Sequence, residues 1–261
     1  MKDIRKHTPG SFCWVELATS DPVAAKKFYQ SIFGWEFQDH SMGPEMTYTI
    51  LQADGQDAAA LYQLMPDQVN QGVPPNWLSY VAVDSADEAA RKAKSIGGTI
   101  IVDAMDVPES GRFAVIQDPQ GANFGVWQSG QQTGIKIRDE VNSLLWNELA
   151  TTDEDGAGKF YITLFSWQTE VMPMGEMNYT IFKNDGKGIA GMYKITPEMK
   201  GMPPNWIPYF SVASTDDIAN KSKTGGGNVI SAPMDIPNVG RIAILQDPQG
   251  AMFAIIQPSA D

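Results

Sequence analysis

Two short segments pair an aromatic side chain with a carboxylate at a spacing of two, Trp14-Val15-Glu16 and Trp146-Asn147-Glu148. Both sit in stretches that alternate like strands, where side chains two apart share a face. Each glutamate should therefore point the same way as its tryptophan. A carboxylate held in partly apolar surroundings is costly unless it is paired or has work to do. Its proton affinity rises, which suits a general base or a hydrogen-bond partner for a cationic or hydroxylated ligand. The structural alternative is that Glu16 and Glu148 pair with a neighbouring arginine or meet trapped water.

Other chemistry-bearing residues are few. The chain has two histidines, His7 and His40, and one cysteine, Cys13. An internal disulfide is excluded, and with no histidine at useful spacing Cys13 reads as a small buried residue. Gly-rich phosphate loops, G-x-S-x-G, C-x-x-C and H-E-x-x-H are absent. Gly225-Gly226-Gly227 reads as a helix C-cap. Arg112 and Arg241 each follow a glycine, with Asp106 and Asp235 six residues earlier. They suit either an ion pair bracing that connection or an anion clamp.

The elements that must position these residues come twice. Gly111–Gln128 matches Gly240–Gln257 at eleven of eighteen positions, an offset of 129. The same offset links Pro74-Pro75-Asn76-Trp77 to Pro203-Pro204-Asn205-Trp206, and the W-x-E segments lie 132 apart. The second copy has lost a net three residues in its middle. A repeat this long is a duplicated domain, not a solenoid unit. The boundary falls in the polar stretch 130–138, giving domains 8–130 and 140–258. Trp77 and Trp206 are expected to seal the connection between modules.

Within copy one, Ser11–Ala18 reads as a strand. Asp21 and Pro22 open a helix that Gly34 ends. Strands follow at Glu36–Asp39, Met46–Gln52 and Ala59–Leu64. A strand at Leu78–Val83, a helix from Ser85 to Ile96, and strands at Thr99–Met105, Phe113–Gln117 and Asn123–Gln128 repeat that order. Asp118-Pro119-Gln120-Gly121 makes the last turn. The chain thus carries four βαβββ modules, two per copy, an α+β architecture. With 43% apolar residues there is ample material for packed cores. A net charge of −12 without clustered lysine and arginine makes nucleic acid and anionic membrane poor partners. The polar start and the lack of a long apolar run suggest a cytoplasmic protein.

The order of these signals, Thr19-Ser20-Asp21-Pro22, Phe28-Tyr29, Phe33-Gly34-Trp35 and Asp118-Pro119-Gln120-Gly121, resembles the vicinal oxygen chelate (glyoxalase, bleomycin-resistance and extradiol-dioxygenase) superfamily. Copy two carries it as Thr152-Asp153, Phe160-Tyr161, Phe165-Ser166-Trp167 and Asp247-Pro248-Gln249-Gly250. The resemblance implies two tandem glyoxalase-like domains, each a mixed sheet curled around a cup for a small molecule. It also implies a divalent metal held at three places. These fall on Trp14, Leu78 and Gly125, and on Trp146, Ile207 and Ala254, none of which binds a metal. The expectation is therefore no cofactor.

If Trp14 faces such a cup, so does Glu16, and Trp146 carries Glu148 with it. The same parity brings Val115, Gln117, Asn123 and Trp127 into cup one, and Ile244, Gln246, Met252 and Ile256 into cup two. Cup one is the more polar and aromatic. Three functions remain open: binding of a small, partly apolar molecule, as bleomycin-resistance relatives do without a metal; a metal-independent isomerase or lyase using Glu16, or less favourably Glu148, as base; and, against the ligand count, a metal-dependent lyase or dioxygenase. The duplication is compatible with a monomer or a homodimer.

Overall fold

A computed structural model describes residues 4, 6–43, 46–174, 177–199 and 201–259. The first half forms one eight-stranded sheet in the order β2-β3-β4-β1-β5-β8-β7-β6, with β1 Phe12–Thr19, β2 Glu36–Ser41, β3 Thr47–Ala53, β4 Gln56–Gln63, β5 Asn76–Ala82, β6 Thr99–Val107, β7 Gly111–Gln117 and β8 Asn123–Ser129. Its helices are α1 Pro22–Phe33, α2 Pro66–Asn70 and α3 Ala86–Ser95. The second half repeats the sheet as β10-β11-β12-β9-β13-β16-β15-β14, with β9 Leu144–Thr151, β10 Gln168–Met174, β11 Met177–Asn184, β12 Lys187–Lys194, β13 Asn205–Ser211, β14 Asn228–Ile236, β15 Gly240–Gln246 and β16 Met252–Pro258, and with helices α4 Glu154–Phe165 and α5 Thr215–Thr224. In each sheet the two modules meet at a central antiparallel pair, β1 with β5 and β9 with β13. Among the described residues no helix is long and apolar enough to cross a membrane.

Local chemistry explains the helix starts and stops. Asp21 accepts a hydrogen bond from the Ala24 amide, Pro22 occupies the first turn, and Gly34 takes the left-handed conformation that ends α1. Asp153 caps α4 in the same way. Ser166 replaces the glycine at the α4 end and also adopts positive φ. The one short helix that the sequence pattern did not announce is α2. Among the described residues copy two has no helix at the equivalent place, where the copies differ in length: the offset is 131 at Tyr62/Tyr193 and 129 at Pro74/Pro203.

The two sheets stack through their helix-bearing faces, and each copy completes the other's core. Tyr29 of α1 donates its hydroxyl to Asp247 Oδ2 at 3.0 Å, and Tyr161 of α4 donates to Asp118 Oδ2 at 3.0 Å. Those aspartates belong to the D-P-Q-G turns of the opposite copy. Their other oxygen accepts three backbone N–H groups of its own turn. Trp77 Nε1 donates to the Tyr29 hydroxyl and Trp206 Nε1 to the Tyr161 hydroxyl. Trp77 and Trp206 therefore do not seal the connection between modules, as the Pro-Pro-Asn-Trp context suggested. Both are buried in the packing between copies, against Phe210 and Phe12 respectively. Phe28 lies over Gly225 and Gly227 of the other copy, and a β-carbon at Gly227 would crowd its ring. The Gly225-Gly226-Gly227 run thus makes room for the partner helix as well as closing α5.

The polar stretch 130–138 between the copies docks on the first sheet. Ile135 and Ile137 are buried. The Ile135 amide donates to Cys13 O at 2.8 Å and the Lys136 amide to Asp57 O at 2.7 Å. The polar composition concealed two apolar anchors that dock on the first sheet.

Removing the crosslink hydroxyl should register globally. Tyr29→Phe leaves a buried carboxylate oxygen and an indole N–H without partners, and should lower unfolding stability by about 2 kcal/mol. Tyr161→Phe should cost a similar amount. Urea denaturation followed by tryptophan fluorescence checks both.

Candidate functional site

With the helices on one face of each sheet, the opposite face carries Trp14 and Glu16. Strand register fixes what surrounds them. Glu16 pairs with Ala60 and Leu78, Trp14 with Tyr80, and Tyr80 with Gly125. Phe113 pairs with Trp127 and Val115 with Gly125. Because pairing partners point to the same side, these residues share the concave face.

Glu16 is held by phenols. Tyr48 donates its hydroxyl to Glu16 Oε2 at 2.8 Å, and Tyr80 donates to Oε1 at 2.6 Å. Trp14 Nε1 donates to the Tyr48 hydroxyl at 2.9 Å. Cup two repeats this wiring: Tyr179 and Tyr209 donate to Glu148 at 2.8 and 2.5 Å, and Trp146 Nε1 donates to Tyr179 at 3.1 Å. Neither glutamate pairs with an arginine, the structural alternative raised by the sequence. The tyrosines were missed there, although a signal existed. All eight tyrosines of the chain form four equivalent pairs between the copies, 29/161, 48/179, 62/193 and 80/209.

A missing β-carbon seats one phenol in each cup, but a different one. In cup one a β-carbon at Gly125 would overlap the Tyr80 ring. In cup two a β-carbon at Gly191 would overlap the Tyr179 hydroxyl. The corresponding neighbours are Ala254, beside Tyr209, and Ala60, beside Glu16. The two glutamates also differ in access. Glu148 is 9% exposed and counts as buried, whereas Glu16 is partly accessible.

Burial pushes both glutamate carboxyls above the usual range, and the phenol hydrogen bonds offset part of that rise. Burial and the charge of Glu16 push Tyr48 and Tyr80 well above the ordinary phenol value. Tyr62, whose hydroxyl accepts from Gln68 Nε2 of α2, is pushed up to about 12 for the same reasons. All three phenols stay protonated near neutrality, which leaves Glu16 as the acid of the set.

The remaining sequence-derived positions are spread more widely. Trp127 lines the cup and donates to Gln132 O, which ties the inter-copy stretch to the wall. It is the one tryptophan without a counterpart, since copy two has Ile256 there. Val115 is on the concave face, but Gln117 donates to Gly121 O and Asn123 is exposed, so both belong to the D-P-Q-G end. Gln246 likewise donates to Gly250 O, opposite the partly buried Met252. Ile244 and Ile256 pack with Ile207, Tyr209 and Trp146 in an apolar cluster. Cys13 is fully buried and burial pushes its thiol far up.

Arg112 and Arg241 do not reach the cups. Arg112 binds both oxygens of Asp87 at 2.7 and 2.9 Å and Asp106 at 2.9 Å, and it donates to Ala104 O. Arg241 binds Asp216 and Asp235 in the same way. Asp87 and Asp216 lie in the first turns of α3 and α5, on the helix side. The guanidinium groups join helix to hairpin, each already balanced by two carboxylates.

The residues present do not fit a resident divalent ion of the type the resemblance implied. Among the described residues no three histidine, cysteine or carboxylate side chains cluster as a metal site. In cup one the three mapped places hold Trp14, Leu78 and Gly125, the last roofed by Tyr80, which leaves Glu16 as a single carboxylate without partner ligands.

Residues 11–126 match the model of the Glyoxalase/Bleomycin resistance protein/Dioxygenase superfamily. A Mycobacterium tuberculosis protein named "Putative glyoxylase CFP32" is 38% identical over 98% of this chain and 97% of its own length. The chain belongs to this superfamily. The Streptomyces peucetius anthracycline biosynthesis protein DnrV is 29% identical over 97% of this chain and 94% of that protein. Among solved structures, the Mn(II)-bound glyoxalase from Novosphingobium aromaticivorans matches with a TM-score of 0.66 at 15% identity, covering 95% of this chain and 82% of that one. The 2,3-dioxygenase LapB from Pseudomonas sp. KL28 matches at 0.63 and 10% identity, covering all of this chain and 94% of that one. At such identities the likeness is one of fold.

Two measurements test the wiring. Gly125→Ala should displace Tyr80 from Glu16 and destabilise the protein by about 1–3 kcal/mol, and Gly191→Ala should do the same through Tyr179. The raised carboxyls set a sign for pH dependence. Between the ordinary glutamate value of 4.5 and the raised folded value, the folded state keeps a proton that the unfolded chain has released. Stability from these groups is therefore full below 4.5 and falls as pH rises through the folded value. Glu16→Gln/Glu148→Gln should flatten that decline in denaturation curves recorded across pH.

Proposed function

We propose that cup one binds a small, partly apolar molecule against its aromatic wall, with Glu16 as the polar anchor and no divalent ion. The observation that carries this reading is a partly buried glutamate, its carboxylate fixed by two phenols, beside a wall formed by Trp14, Tyr62, Phe113 and Trp127. An apolar pocket with few, fixed polar groups is the usual form of a small-molecule site. The relative named for anthracycline biosynthesis supports an aromatic ligand, and the relatives named as glyoxylases support chemistry on a small molecule in the same fold. Copy two, with Ile256 for Trp127 and a buried Glu148, serves as scaffold or takes a different ligand.

A second reading keeps the same site and makes Glu16 a base for a metal-independent isomerisation or elimination. Its support is the raised proton affinity of the carboxyl, which places a usable base in an apolar setting. A metal-dependent lyase or dioxygenase would need donors that cup one does not gather.

Elemental analysis of protein purified without chelator should find well under one equivalent of Zn, Mn, Fe or Ni. A stoichiometric, tightly held ion would overturn the proposal. A thermal-shift screen of aromatic compounds should give ligands that stabilise the wild type and lose most of that effect with Trp127→Ala. For such a ligand, turnover abolished by Glu16→Gln with binding retained would select the catalytic reading.

A further inference from the structure

The charge on the concave face of cup one is one-sided. The wall consists of Trp14, Tyr48, Tyr62, Tyr80, Phe113 and Trp127 around Glu16. Among the described residues no lysine, arginine or histidine is bonded to Glu16; the exposed His40 of the edge strand β2 pairs with Tyr48 and shares its face. His7 Nε2 is bonded to Ile135 O, and Lys136 Nζ lies against Thr133. Asp57, beside the inter-copy stretch, is held by the amides of Gln52 and Gln132 and adds a second carboxylate. Every polar partner that Glu16 has is a neutral phenol. The ionised floor therefore carries a charge that no bonded cation balances, in a protein whose net charge is already −12.

Hydrogen-bond polarity points the same way. Each carboxylate oxygen uses one acceptor direction on a phenol, and a carboxylate has about four. Trp14 only donates, so the Tyr48 oxygen accepts from it while the Tyr48 proton goes to Glu16. The floor offers spare acceptors and no spare donor. Aromatic faces around an acceptor-only anion attract a cation electrostatically and repel an anion.

We infer that cup one selects ligands that carry an ammonium head on an apolar, ring-bearing body. The head donates to the spare acceptor directions of Glu16 and rests on the indole and phenol faces. Neutral hydroxyl compounds satisfy the hydrogen bond but leave the charge unbalanced, and carboxylates are excluded. The inference rests on the reading that cup one is the ligand site and adds the charge class of the ligand. It also couples binding to protonation. The titratable groups on this face are Tyr48 from β3, Tyr62 from β4 and Tyr80 from β5, all of which stay protonated, and the exposed Glu36 and His40 of β2, while β7 and β8 contribute non-titrating residues. Ammonium affinity should therefore fall as acidification neutralises Glu16.

The test compares benzylamine, benzyl alcohol and benzoate, which share one ring and differ in the head group. Binding is read from the indole N–H signals of nitrogen-15-labelled full-length protein, assigned by single Trp→Phe variants. Benzylammonium should shift the Trp14 and Trp127 signals and bind about tenfold or more tightly than benzyl alcohol. Benzoate should leave them unmoved. Glu16→Gln should abolish the preference while benzyl alcohol still binds, with the Trp35 and Trp167 signals reporting an intact fold. In the wild type, lowering the pH should weaken benzylammonium and spare benzyl alcohol. Equal or tighter binding of benzyl alcohol or benzoate at the Trp14 and Trp127 signals would overturn the charge preference and keep the site. Shifts confined to Trp146, or no shift with any of the three, would remove the cup-one reading itself.

Discussion

Each copy of the repeat closes the other. The hydroxyl of Tyr29 reaches across to Asp247, and that of Tyr161 reaches back to Asp118. Both aspartates already organise a turn by accepting three backbone amides, so the tyrosine completes a carboxylate that would otherwise be buried with an unused oxygen. The indoles of Trp77 and Trp206 satisfy the tyrosine oxygens in turn. Helices, turns and the first residues of the central strands are thereby tied into one reciprocal arrangement. Stacking the sheets on their helix-bearing faces leaves their concave faces free, and that is where the glutamates stand.

The cups follow a second rule of exchange. Both keep a donor-only indole, a phenol, a carboxylate and a second phenol in sequence. What varies is the packing beneath the rings. A glycine under Tyr80 fixes the second-module phenol in cup one, and a glycine at 191 admits the first-module phenol in cup two. Trp127, tied to the inter-copy stretch, has no counterpart in copy two, where Ile256 joins an apolar cluster. Duplication thus preserved the wiring of the acid and let its surroundings diverge, which fits two cups with different access rather than two identical sites.

Superfamily membership places the fold and says less about reaction. The positions that the resemblance assigns to metal ligands carry an indole, an aliphatic chain and a glycine, and the last of these serves to seat a tyrosine. What the structure gathers on this face instead is a glutamate between two phenols.

Much of the architecture was legible in the linear sequence because it depends on local signals. The repeat, the capped helices, the D-P-Q-G turns and the shared face of Trp14 and Glu16 follow from spacing, backbone preference and the two-residue period of strands. The acid itself was legible too, since a carboxylate beside a tryptophan on a strand is conspicuous. Its partners were not. Tyr48 and Tyr80 lie 32 and 64 residues from Glu16, and only strand register brings them to it. The same distance in sequence hid the role of Trp77, which looked like a plug at a connection and proved to be part of the contact between copies. Arg112 was ambiguous for a related reason: Asp106 was visible six residues away, but Asp87, which takes two of its hydrogen bonds, is brought up by the packing of α3. The sequence by itself determined which residues could carry charge and which elements would hold them. The tertiary structure decided which of those charges meet a partner, because pairing depends on distances that chain order does not encode.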